Sequence, residues 1–199
     1  MLGFRSGAAG HGLDAPVAAW IRSFAKRGAT FGTRAAWVTD YDLQTGFVRS
    51  GQVWQVRFQE RGGPVSTLMT GEREHVQRYF VWRLASTAQA AAGRTHTEYP
   101  TAPERVPAPG SPLHVRDGAG HSGEVWAEGR RVAVLESRSE AIEFTHYGWL
   151  PVEVLIAQIT GPAEDMVFPA GARYRTDEEQ AAEAERIRTG VLALLAASG

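Results

Sequence analysis

The spacing of apolar residues along the chain changes period several times, and each change marks an element. Val17, Trp20, Ile21, Phe24 and Ala25 recur at helical spacing. Asp14 stands at the N-cap position, Pro16 falls in the first turn, and Gly28 closes the run. From Ala35 to Met69 the period shortens to two. Short β-type runs at 36–38, 46–48, 53–58 and 65–69 are separated by the turn residues of 44–46, 50–51 and 62–64. In the third run Trp54, Val56 and Phe58 share one face while Gln55 and Arg57 point the other way, the pattern of a half-buried strand. Helical spacing returns at Glu72 and carries His75, Val76, Tyr79, Phe80, Trp82 and Leu84, with an Ala-rich continuation to Gly93. Glu72 and Glu74 suit the positive end of that helix.

The second half repeats the plan. Strand-like runs at 113–115, 125–127 and 132–135 surround the turn Asp117-Gly118-Ala119-Gly120. Residues 140–160 read as helix in two pieces, broken at 148–151 because the residue before Pro151 resists the α conformation. Ser50-Gly51-Gln52-Val53-Trp54 is echoed by Ser122-Gly123-Glu124-Val125-Trp126, and each half reads as a small meander followed by helix. Between them, residues 95–112 hold five of the ten prolines and read as a surface linker. Thr176-Asp177-Glu178-Glu179 fits a capping box that opens a last helix, with Ile187, Val191, Leu194 and Leu195 on its apolar face.

These patterns predict an α+β fold: an antiparallel meander sheet with helices packed on it, two similar halves, and a C-terminal helix. The expected organisation is a lead-in at 1–13 and a single domain at 14–175. Its halves, about 14–94 and 113–162, are joined by the Pro-rich linker, and a helical segment follows at 176–199. One continuous sheet is expected, because two separate cores of under a hundred residues would each be marginal.

Composition narrows the function. The chain has 199 residues, 43% hydrophobic and 22% charged, with 21 basic and 22 acidic side chains giving a net charge of −1. So balanced a chain has no general field to recruit nucleic acid or an anionic membrane, and the arginines form no dense stripe. Without cysteine there is no disulfide, thiolate metal site or thiol nucleophile. The N-terminus lacks the basic-then-apolar pattern of a signal peptide, and the longest apolar run, 191–197, is too short to cross a bilayer. A cytoplasmic location is expected, with neither nucleic acid nor membrane as partner.

Candidate chemistry is sparse. Glu72 and His75 share a helical face but lack the second set that a metal site needs. His146 lies in the aromatic run Phe144-Thr145-His146-Tyr147-Gly148-Trp149. There it is either a general base oriented by Glu143 or a ring bonded to backbone where two helices turn. No nucleophile elbow, P-loop or dinucleotide fingerprint occurs. Of the six tryptophans, Trp20, Trp37, Trp54, Trp82 and Trp126 are assigned to core faces. Trp149, at the helix break beside Tyr147, suits an interface anchor. The sequence thus assigns no catalytic, cofactor or metal residue, and offers His146, Tyr147 and Trp149 as a partner interface.

Two stretches resemble a known family. Val53-Trp54-Gln55-Val56-Arg57-Phe58-Gln59-Glu60-Arg61, followed by His75-Val76-Gln77-Arg78-Tyr79-Phe80, is similar to its first half. Residues Phe144 to Ile156 are similar to two helices of its second half. The family is the immunity proteins of bacterial polymorphic-toxin systems, of the kind that neutralise tuberculosis-necrotizing-toxin-like NAD glycohydrolases. Gln77 stands where that family usually has glutamate, and Gly148 where it has leucine. The resemblance implies a cytosolic antitoxin that binds a cognate toxin domain and obstructs its active site, without a cofactor. The alternatives are a small enzyme using Glu143 and His146 as an acid/base pair, and a secretion chaperone or scaffold protein docking through the last helix.

Overall fold

Period-two runs become strands and period-3.6 runs become helices. The computed structural model describes residues 12–25, 28–94, 100–162, 165–169 and 176–197. Eight strands, β1 (Ala29–Phe31), β2 (Ala35–Asp40), β3 (Leu43–Ser50), β4 (Val53–Glu60), β5 (Val65–Gly71), β6 (His114–Asp117), β7 (Gly123–Ala127) and β8 (Arg130–Leu135), form one sheet. Its order is β1-β2-β3-β4-β5-β8-β7-β6, with every neighbouring pair antiparallel. Six helices accompany it: α1 (Ala15–Phe24), α2 (Arg73–Arg83), α3 (Ala85–Ala91), α4 (Arg138–Tyr147), α5 (Val152–Thr160) and α6 (Asp177–Ala197). The fold is α+β, as the patterns predict, and the two meanders share a single sheet.

The halves meet through their last strands. Met69, Thr70 and Gly71 lie opposite Leu135, Val134 and Ala133. A two-fold axis through this ladder makes Met69 equivalent to Ala133 and Gly71 to Leu135. The equivalence extends outward. Val56, opposite Met69, matches Val125, opposite Ala133. Phe47, opposite Val56, matches Val115, opposite Val125. Both halves shift register at the same place, after Val56 and after Val125, leaving Leu68 and Val132 as the extra residues. The echo between 50–54 and 122–126 belongs to a different register: Trp54 faces Gly71, so its counterpart is Gly123, three residues before Trp126.

Helices cover one face. α2 lies on β3, β4 and β5, and α4 lies on β6, β7 and β8. α5 packs against α1, α2 and α3, while α6 seats against α4. Trp54, Val56 and Phe58 point toward the helices, with Val56 fully buried and Phe47 stacked on Trp54 at 4.7 Å between ring centroids. Trp37 and Trp126, expected in the core, instead lie on the opposite face. Trp37 lies across from Gly46, where an added Cβ would come within 2.6 Å of the indole ring. Trp126 is held under the Arg116 guanidinium, 4.1 Å from the ring centroid, and donates Nε1–H to Glu124. Alternation explains both corrections, since Trp37 and Trp126 each follow an inward residue, Ala36 and Val125.

Other differences have local causes. Asp14 is the residue before α1 but makes no capping bond; its carboxylate is taken by Arg73 and Gln77 of α2. Burial opposes its ionisation, yet those two hydrogen bonds and the Arg73 charge hold its pKa below the usual value. The helix ends at Phe24 rather than near Gly28. The second helix breaks at Leu84, dividing it into α2 and α3. Residues 1–11 of the expected lead-in lie outside the described residues. The described part of the Pro-rich segment is bound down rather than free: Ala108 N–H donates to Thr145 Oγ1, the Ser111 hydroxyl to the Thr145 carbonyl, and Glu104 and Arg105 N–H to Gln180 Oε1. The capping box forms as read, with Glu179 N–H donating to Thr176 Oγ1 and Thr176 N–H to Glu179 Oε2.

Candidate functional site

The densest chemistry lies in the seam where α2 and α4 cross above the central ladder. Both helices start directly after a central strand, so the two-fold brings equivalent side chains together. Trp82 stacks on Tyr147 with ring centroids 4.2 Å apart, and Tyr79 meets Phe144 edge-on at 6.3 Å. Each pair is related to itself by the axis when the helices are aligned from their N-caps, Glu72 and Ser137.

The polar groups of the seam are not symmetric. On one side the Tyr79 hydroxyl donates to Glu140 Oε1 at 3.0 Å, and Trp82 Nε1–H donates to Glu143 Oε1 at 3.1 Å. On the equivalent side His75 packs edge-on to Phe144, its Nδ1 is 3.2 Å from the Gly148 carbonyl, and Arg78 donates to the same carbonyl. Burial pushes Glu143 up to about 7, against the opposing effects of the Trp82 bond and the Arg83 charge. Burial likewise drives the Tyr79 and Tyr147 phenols upward, with nearby Glu140 and Glu143 adding to it, and draws His75 down. A carboxyl that titrates near neutrality beside a phenol has the composition of a proton-transfer site.

Access decides what this composition means. Tyr147 is 0% exposed and His146 1% exposed. His146 donates Nε2–H to the Val106 carbonyl at 2.9 Å, and burial lowers its pKa to about 4, so the ring is neutral. It therefore bonds to backbone at the helix turn and makes no hydrogen bond with Glu143. Of the three residues offered as an interface, only Trp149 keeps exposed surface, and its Nε1 is buried. Tyr147 and His146 present no surface to a partner in this structure. His75 is engaged with Gly148 and Glu72 pairs with Arg130, so the Glu72–His75 spacing leads to no joint site. Among the described residues no group of three or more acidic or histidine side chains is placed to hold a metal ion.

The principal cavities lie elsewhere. One of about 440 Å³ sits at the end of the sheet, lined by Thr39, Tyr41, Asp42, Gln44, Gln59 and Glu60 among others. Another of about 290 Å³ is at the opposite end, between Arg34, Arg49, Gly51 and Gln52. Two more, about 460 and 260 Å³, lie along α1 and α3. None is lined by Glu143, His146 or Tyr147.

One feature at the first cavity has no signal in the sequence. Tyr41 stands at the β2–β3 turn with φ +51° and is 97% exposed. Left-handed backbone there favours glycine or asparagine, and the turn Asp40-Tyr41-Asp42-Leu43 contains neither.

Comparison with known proteins yields fold but not family. No protein-family model matches the chain, and no curated protein matches it. Among solved structures it is similar to Rv3902c from M. tuberculosis, with a TM-score of 0.56 and 15% identity over 74% of this chain and 88% of that one. At that identity the likeness is one of fold alone. No helix among the described residues is long and apolar enough to cross a membrane.

Proposed function

We propose that this chain is an immunity protein: a cytoplasmic antitoxin that binds a cognate toxin domain, of the NAD glycohydrolase class implied by the resemblance, and blocks its active site. The observation that carries this reading is where the resembling stretches lie. Remote in sequence, the 75–80 and 144–156 stretches meet in one seam, where His75 and Tyr79 pack edge-on to Phe144. Residues that must fit one another across such a seam define a framework, so a match in both stretches is harder to reach by chance than a match in either.

The same seam argues for binding over catalysis. Tyr147 and His146 are enclosed, and the partly buried Glu143 lines none of the four cavities described above, whereas an active site needs its titratable groups at a cavity. An inhibitor needs a rigid scaffold with anchors on its turns, so that little entropy is lost on association. A tightly registered antiparallel sheet with short hairpins supplies that scaffold. The expected partner is a protein, with no cofactor, nucleic acid or membrane.

The test is co-expression with each toxin domain encoded in the same genome. Rescue of the host by one of them, with a complex that copurifies, is the expected result. Failure across the complete set removes the reading, and turnover lost in Glu143→Gln then becomes the experiment of interest.

A further inference from the structure

The described surface has five exposed large apolar side chains, and Tyr41, Leu43 and Val65 are all at one end of the sheet. That end is formed by the β2–β3 and β4–β5 turns, which lie side by side because Leu43 faces Glu60 and Gln59 faces Val65. Tyr41 is its outermost side chain, and it holds the left-handed conformation described above. A bulky residue kept at a strained, fully exposed position does nothing for the fold there that glycine would not do better.

The charge at this end is predominantly negative. Asp40, Asp42 and Glu60 are countered by Arg61 alone, which pairs with Asp42 at 3.2 Å. The opposite end of the same strands is basic, with Arg34 and Arg49 around the β3–β4 turn. The sheet thus presents a projecting aromatic ring beside an excess of carboxylates at one end.

We infer that the β2–β3/β4–β5 end is the anchor by which this chain enters its partner, and that the partner offers a concave, cation-lined cleft of the kind that holds a phosphate-bearing substrate. Tyr41 fills the cleft as its apolar anchor, since a protruding aromatic is the usual centre of a tight interface. Asp40, Asp42 and Glu60 meet the cations that line it and speed encounter. The inference rests on the toxin-binding reading and adds to it the contact surface and the chemistry of the partner.

The experiment measures binding of the full chain to the toxin domain that it rescues against, by titration, alongside thermal unfolding of each variant. Tyr41→Gly is the first variant, because glycine suits the backbone at that turn. Its Tm should equal or exceed that of the parent while affinity falls by roughly thirtyfold or more. The double variant Asp40→Lys/Glu60→Lys should lower the association rate about tenfold and lose most of the salt dependence of that rate. Glu128→Gly, at the other strained turn, is the control and should bind like the parent. Affinity of Tyr41→Gly within threefold of the parent overturns the assignment, as does an equal loss in Glu128→Gly. If the parent binds no encoded toxin domain, the toxin-binding reading itself fails, and the anchor with it.

Discussion

The two sides of the α2–α4 seam share a geometry and differ in chemistry. Tyr79 and Trp82 reach across to Glu140 and Glu143; at the equivalent positions of the other helix Phe144 meets His75 edge-on, and Arg78 donates to the Gly148 carbonyl next to Tyr147. Ring against ring is kept at both crossings, while the carboxylates are on α4 alone. The shape of the crossing is therefore what the fold requires, and the charge is free to differ. A half-buried carboxyl is tolerated on one side because an indole N–H meets it and because it can take up a proton.

The strongest test of that comparison removes a ring. Trp82→Ala deletes the stack on Tyr147 and the edge contact with Phe168, and leaves Glu143 without its donor. A loss of about 3–5 kcal/mol is expected in denaturant unfolding. A loss below about 1 kcal/mol would mean the crossing is not a support.

Acid titration separates the groups, because Glu143 and His146 act with opposite sign. The folded pKa of Glu143 is raised to about 7, so its stabilising effect is complete below its unfolded value near 4.5 and fades as pH rises to 7. That of His146 is lowered to about 4, so stability falls as pH drops from 6.5 toward 4. In Glu143→Gln the opposing gain vanishes, and Tm should fall more steeply on acidification than in the parent. At pH 8, where the parent holds a buried ionised carboxylate, the variant should be more stable by something on the order of 2 kcal/mol. In His146→Gln, which keeps a donor for the Val106 carbonyl, stability should rise steadily from pH 7 to 4.5. Parallel profiles for all three proteins would contradict the assignment of these groups as buried.

Smaller effects are expected outside the seam. Asp14 ties α1 to α2 through Arg73 and Gln77. Asp14→Ala should cost about 1–2 kcal/mol at neutral pH. Gln77→Glu should weaken the same tie by setting two carboxylates together, with the effect lessening as acid neutralises them. The smallest change belongs to the β7–β8 turn, where Glu128 has φ +50° ahead of Gly129. Glu128→Gly should raise stability by about 0.5–1 kcal/mol.

The legible parts of the fold were those set by nearby residues. Alternation located β2 to β5, Pro151 located the break between α4 and α5, and Thr176 with Glu179 located the start of α6. β1 escaped because three residues carry no period. The join of β5 to β8 was expected only in outline, because it pairs positions 62 to 66 residues apart. Bulk does not reveal the faces of Trp37 and Trp126, because a glycine opposite one and an arginine over the other allow each ring to stay outside. Tyr147 and His146 read as surface from sequence because aromatic density at a helix break looks the same whether it faces solvent or the core. Nothing in the string Asp40-Tyr41-Asp42 reveals a positive φ.

The central ladder is only three residue pairs long, and Gly71 there leaves no room for a side chain, since a Cβ would lie 2.5 Å from the Val132 carbonyl. By itself so short a ladder would hold two free molecules together poorly, and the α2–α4 seam adds the stacked rings that support it. Within one chain the second half is never diluted away from the first; the tether supplies an effective concentration in the millimolar range or above. The architecture is thus that of a two-fold dimer whose halves are joined covalently, so the two halves can differ in charge and still stay together.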